Sequence, residues 1–147
     1  MTLEMLYKIA FASVRGMGVD LARKMLEVIG EEQEFFRISE KALREITGSK
    51  SKILSKSYRN DCLIKAQNEL PFLESRHIQL SSFTHPDYPQ RLLNAVDAPI
   101  LLYSVGETNL NSKHIVSIVG TRKCTEYGKR MCEKIVSELA EAVPDVV

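Results

Sequence analysis

The feature that most constrains this chain is a change of hydrophobic period near His77. Before it, apolar residues recur at helical spacing, first Leu3, Leu6, Tyr7, Ala10 and Val14, then Leu21, Met25 and Val28 or Ile29. After it, Ile78–Phe83 is β-compatible, and Ile100–Val105 and Ile115–Val119 are continuous, β-branched-rich runs. Such runs are expected of strands buried on both faces. The pattern predicts an all-α module over residues 1–76 and an α/β module over 77–147.

Punctuation supports this division. Gly30 stands where a helix C-terminal glycine is expected. Ser39 suits an N-cap, with Ile38 and Leu43 spaced as a hydrophobic staple. Gly48 marks the next turn, and Leu54, Tyr58, Cys62, Ala66 and Leu70 predict a helix over 51–73 that Pro71 kinks or interrupts. In the second module, His85-Pro86-Asp87-Tyr88-Pro89 reads as a turn whose last proline opens a helix, which Ala98-Pro99 ends. Gly106–Ser112 is a polar loop. Tyr127, Met131, Ile135, Val136 and Leu139 predict a helix from Thr125 to about Ala142, and Asp145-Val146-Val147 reads as the entry to another strand. Strand, helix and incipient strand describe the beginning of an α/β domain. The chain is therefore expected to be a fragment of a longer protein.

Composition removes several classes of function. The chain is 44% hydrophobic over 147 residues, enough for a core. It lacks any apolar run near the roughly 18 residues of a bilayer span, so a membrane protein is not expected. Glu4 and the absence of an N-terminal basic stretch argue against a signal peptide. Cys62, Cys124 and Cys132 form no CxxC pair, and His77, His85 and His114 have no metal-ligand spacing. No disulfide scaffold, metal or other cofactor is expected, and the reading is a cytoplasmic protein. No paired carboxylates sit in an apolar context, so acid–base hydrolysis has no support. Cys124, near a helix start, has no base at a fixed spacing and is not read as a nucleophile. His85 and His114 read as turn or edge residues, and Tyr88 and Tyr103 as packing groups before base-stacking ones.

Charge is nearly balanced, at 20 Lys+Arg against 19 Asp+Glu, but unevenly placed. Residues 41–65 hold Lys41, Arg44, Lys50, Lys52, Lys56, Arg59 and Lys65 against two acids. Such a cluster can neutralise phosphates, and a solvated helix face is the alternative.

Two motifs carry binding chemistry. In Val14-Arg15-Gly16-Met17-Gly18-Val19, two glycines around an apolar residue suit a tight hairpin between helices. Met17 would pin it to the core, while Gly16, Gly18 and the next helix start would offer amides to a phosphate. The pattern resembles a helix-hairpin-helix, a binder of the DNA backbone without sequence preference. Ile46-Thr47-Gly48-Ser49-Lys50, with Lys52 beyond it, reads as a degenerate second copy; a packing turn that binds nothing is the alternative. The second motif is Ile115–Val119 running into Gly120-Thr121-Arg122, then Thr125. A buried strand, a glycine and a helix start build an anion site in which Gly120 permits close approach, Thr121 and Thr125 supply hydroxyls and Arg122 forks a phosphate. Neither a dinucleotide fingerprint nor a P-loop is present.

Taken in order, Asp87-Tyr88-Pro89 with Leu92, Asp97-Ala98-Pro99, Leu102-Tyr103, Gly106, Val119-Gly120-Thr121-Arg122, Thr125 and Tyr127-Gly128 resemble the DNA-processing protein A family, DprA or Smf. The resemblance covers roughly residues 75–147, and the helical half looks like the extension many members carry. It implies a bacterial cytosolic protein of natural transformation that binds single-stranded DNA, protects it and helps load the RecA recombinase. It further implies a Rossmann-like domain with Arg122 on phosphate in a basic pocket, a homodimer, and no established catalysis. The family's next Ser-Gly-rich turn, its remaining pocket lysines and its dimer and RecA surfaces would lie past Val147. The rival from another class is a Rossmann-like nucleotide or phosphoribosyl hydrolase using the same Gly120-Thr121-Arg122 turn. The hairpin pattern argues against it, since a small-molecule enzyme needs no DNA-backbone module. A protein-interaction fragment is a third reading.

Overall fold

A computed structural model of the chain describes residues 3–107, 109–144 and 146–147. Those residues fold as two compact units, Met1–Gly106 and Glu107–Val147. The expected module boundary after residue 76 thus falls inside the first unit, which takes in the strands as well as the helices.

In the first unit, α1 (Leu3–Ala12), α2 (Val19–Ile29), α3 (Glu32–Arg37) and α4 (Glu40–Thr47) follow in close succession. A 3₁₀ turn (Lys52–Leu54) then leads into α5 (Lys56–Ser75). Caps set these boundaries. The Ser39 hydroxyl accepts from the Ala42 amide at 3.2 Å, and Ser55 accepts from Tyr58 at 3.3 Å. Gly30 and Gly48 end α2 and α4 with positive φ. α1 packs on α3 and α5 around Ile9, Phe11, Met25, Phe35, Leu43 and Leu73, all nearly inaccessible to solvent. The Phe11 and Phe35 rings meet edge-on, 5.2 Å apart at 79°, an arrangement the ring quadrupoles favour.

The expected interruption at Pro71 does not occur, because α5 runs through it to Ser75. A proline removes its own ladder bond and crowds the preceding turn. The last turn is held regardless by Leu73, 2% exposed, which is anchored in the core.

β1 (Gln79–Ser82) and β2 (Leu101–Ser104) pair antiparallel, with Gln79 opposite Ser104 and Ser82 opposite Leu101. The ladder continues where the Phe83 amide donates to the Ile100 carbonyl at 3.0 Å. Between them Pro89 precedes a short 3₁₀ turn (Gln90–Asn94) rather than an α-helix. Tyr88 is wholly buried and donates its hydroxyl to the Pro99 carbonyl, which closes the loop over the sheet and makes it a packing residue. The expectation of a strand buried on both faces fails for β2. It has one strand neighbour, and Tyr103 and Val105 are exposed.

The second unit consists of α6 (Glu126–Ala142) and the segments flanking it. The second expected strand, Ile115–Val119, is not formed. Ile115, Val116, Ile118 and Val119 are all exposed, Val119 at 90%. Its start does pair in parallel: His114 bridges Val146, Val147 donates to the His114 carbonyl and Val116 to the Val147 carbonyl, each at 2.9 Å. Asp145, the first residue of the expected closing strand, lies outside the described residues. A parallel strand needs neighbours on both edges and cover on both faces. Among the described residues of this unit, Val146, Val147 and α6 are what could supply them. The geometry is segment, helix, parallel segment, the connectivity of a βαβ unit with a single point of pairing. Overall the described residues are mixed α/β, with six α-helices and one two-stranded antiparallel sheet.

Candidate nucleic-acid interface

The first hairpin forms between α1 and α2. Met17 donates to the Val14 carbonyl at 3.1 Å and packs against the core, while Arg15, Gly16 and Gly18 face solvent. The two glycines are not equivalent. Gly16 has φ +78°, which an L side chain resists, whereas Gly18 has φ −94° and ψ 172°, open to any residue. The expected need for positive φ therefore holds at Gly16 alone. Gly16→Val should cost about 1–2 kcal/mol, the usual penalty for a left-handed L residue. Gly18→Val should change stability by well under half of that. Urea titrations followed by far-UV circular dichroism measure both.

Gly18 caps α2 without a side-chain bond, and the amides of Gly16 and Gly18 donate to no acceptor among the described residues. The second loop differs. The Ser49, Ser51 and Ile53 amides donate to the hydroxyls of Thr47, Ser49 and Ser51 at 3.2, 3.1 and 3.4 Å. Those three donors are spent within the loop, while the Lys50 and Lys52 amides donate to no acceptor among the described residues. Lys50, Lys52 and Lys56 are exposed and form no ion pair among the described residues.

Two members of the basic cluster are committed elsewhere. Arg44 pairs with Glu40 at 2.6 Å. Arg59 is 3% exposed and donates to the Phe35 and Ile38 carbonyls, with its guanidinium 5.7 Å from the Phe35 ring centroid. Burial pushes that guanidinium below its ordinary pKa, partly offset by Glu40. Arg59 thus caps the end of α3 and holds α5 against it. Spacing alone had grouped it with surface bases.

In the second unit, Gly120, Thr121, Lys123, Cys124, Thr125, Gly128, Lys129 and the carboxylate Glu133 are among the residues lining a cavity of about 670 Å³ at the start of α6. Thr125 caps α6, accepting from the Gly128 amide at 3.1 Å, and keeps its own proton to donate. Thr121 spends its proton on the Lys123 carbonyl at 2.9 Å, so it has none for a phosphate. Lys129 pairs with Glu126 at 2.7 Å, whereas Lys123, which also lines the cavity, forms no ion pair among the described residues. Arg122 is exposed beside the cavity but does not line it. A Cβ added at Gly120 meets nothing within 4 Å, so nothing in the described residues fills the approach that glycine leaves open. No group of His, Cys, Asp and Glu among the described residues could hold a metal ion, and no described helix is long and apolar enough to cross a membrane.

Residues 79–147, which begin at β1 and include the Gly120-Thr121-Arg122 turn and α6, match the family described as DNA recombination-mediator protein A. Over this stretch, a little under half of its length, the chain is similar to the DprA/Smf family. The curated protein Smf of Synechocystis sp. (strain ATCC 27184 / PCC 6803 / Kazusa) is 28% identical over 148 residues. The alignment covers 95% of this chain and 36% of that relative, so the chain spans about a third of the relative's length. No solved structure matches it. The DprA/Smf match reaches into the first compact unit, since β1 and β2 fall within it.

Proposed function

We propose that this chain is part of a DprA/Smf protein that binds single-stranded DNA through its phosphates, in DNA processing and recombination. The observation that carries the reading is the family match across residues 79–147, which takes in the open Gly120 turn at the start of a 17-residue helix. Backbone amides, the Thr125 hydroxyl, Lys123 and Arg122 supply the donors and positive charge an anionic backbone requires, with the carboxylate of Glu133 on the same cavity wall. The helical unit adds a second contact through the Gly16–Gly18 hairpin with Lys50 and Lys52. In this reading the Rossmann-like domain starts near residue 77, and the full-length protein works in the cytoplasm, without a catalytic step, as a homodimer that protects incoming DNA and hands it to RecA.

Phosphate-directed contacts predict tolerance of sequence, and the single-strand reading, taken from the family, predicts a preference for unpaired DNA. In fluorescence anisotropy, full-length protein should bind poly-dT more tightly than a mixed-sequence duplex, and both more weakly as salt rises. A clear preference for the duplex would refute the reading.

A further inference from the structure

The two loops of the helical unit are chemically complementary. The first has unused amides at Gly16 and Gly18, and the second, three of whose amides are held by its own hydroxyls, leads through Lys52 to Lys56 at the start of α5, two ammonium groups in no ion pair among the described residues. One bond ties them together: the Arg15 amide donates to the Tyr58 hydroxyl at 3.1 Å, across 43 residues of sequence. Tyr58 lies in the first turn of α5, two residues past Lys56, packed against the core. Its own amide is held by Ser55, so the ring cannot drift along the helix. Arg15 is exposed and in no ion pair among the described residues.

We propose that Tyr58 is a positioning residue for DNA. Its hydroxyl holds the Gly16–Gly18 hairpin beside the start of α5, so that amide donors from one loop and the charges of Arg15, Lys52 and Lys56 serve one phosphate strand. This rests on the reading that the helical unit binds DNA. Neither loop is sufficient alone. The glycine hairpin alone sets one cation, Arg15, against the acidic Asp20 in the first turn of α2. Lysines without fixed donors bind phosphate only as diffuse charge. The hydroxyl touches no ligand; it fixes the distance between groups that do.

The test uses the whole chain and a short dT oligomer at low salt, read by amide chemical shifts and by anisotropy across a salt series. In the unaltered chain, Gly16, Gly18 and Lys50–Lys56 should all respond. Tyr58→Phe keeps the ring and removes the acceptor. It should weaken binding about two- to tenfold, the range for one net hydrogen bond. It should silence Gly16 and Gly18 while Lys52 and Lys56 still respond, and flatten the log–log salt slope by up to about 0.7, the loss of one single-strand phosphate contact. Arg15→Gln keeps the amide bond and should weaken binding with Gly16 and Gly18 still responding. A Phe variant that binds like the original, with Gly16 and Gly18 shifting as before, overturns the assignment. So does one that fails to fold, since Tyr58 would then be a core residue. If neither segment responds in the unaltered chain, the DNA-binding reading of the helical unit fails, and the role of Tyr58 with it.

Discussion

Truncating Arg59 to alanine should destabilise the first unit by about 3 kcal/mol, the scale for leaving buried polar groups unpaired and opening a cavity together. The guanidinium bonds the Phe35 and Ile38 carbonyls and stands over the Phe35 ring, which itself packs edge-on against Phe11. Removal strands two carbonyls at the end of α3 and unsupports the ring in one step. Arg59→Met should cost less than alanine, because the thioether fills volume and the desolvation of a buried charge disappears. Arg59→Lys should not rescue fully, since an ammonium lacks the guanidinium's planar fork of donors. With no tryptophan in the chain, urea unfolding is best followed by far-UV circular dichroism. An alanine variant with an unchanged midpoint would mean that the buried guanidinium contributes nothing to the fold.

Arg59 also shows where the sequence stops being readable. Helix ends were legible because caps act within one turn: Ser39, Gly30, Gly48 and Thr125 stand where spacing predicted, and α6 spans nearly the range its apolar stripe defined. The family motifs were legible for the same reason, since an apolar run, a glycine and a helix start are consecutive in the chain. Burial is different. Whether an arginine at residue 59 meets water or two carbonyls depends on α3, which lies some 20 residues earlier in the chain. The run Ile115–Val119 has strand composition, yet a strand is a pairing, and only His114 and Val116 find a partner. The closed amides of the second loop were unreadable too, because Thr47, Ser49 and Ser51 could equally have turned their hydroxyls to solvent. Of the candidate site, residue identities were visible and their division of labour was not. Thr121 turned out to spend its proton internally, while Lys123 stood free beside Gly120.

The second large effect belongs to Arg122. In the full-length protein, Arg122→Ala should weaken binding to single-stranded DNA by about 1–3 kcal/mol, the range for a lost charge-assisted contact. The log–log salt slope should flatten by about 0.7, the single-strand value for one phosphate. Arg122 is exposed and beside, not within, the cavity at the start of α6, and it has no acidic partner among the described residues. Its removal should therefore leave folding stability unchanged within about 0.5 kcal/mol, as for other surface substitutions. That combination separates a binding role from a structural one, and Arg59→Ala supplies the opposite pattern as a control. Arg122→Lys should recover part of the affinity and all of the salt slope, because charge alone sets the slope while the fork adds strength. Lys123→Gln should act in the same direction as Arg122→Ala, since Lys123 lines the cavity and forms no ion pair among the described residues. If Arg122→Ala leaves affinity and slope untouched while Lys123→Gln reduces both, the phosphate lies in the cavity and Arg122 stands outside it. If neither substitution matters, the anion site at the Gly120 turn is wrong, and DNA binding rests on the helical unit.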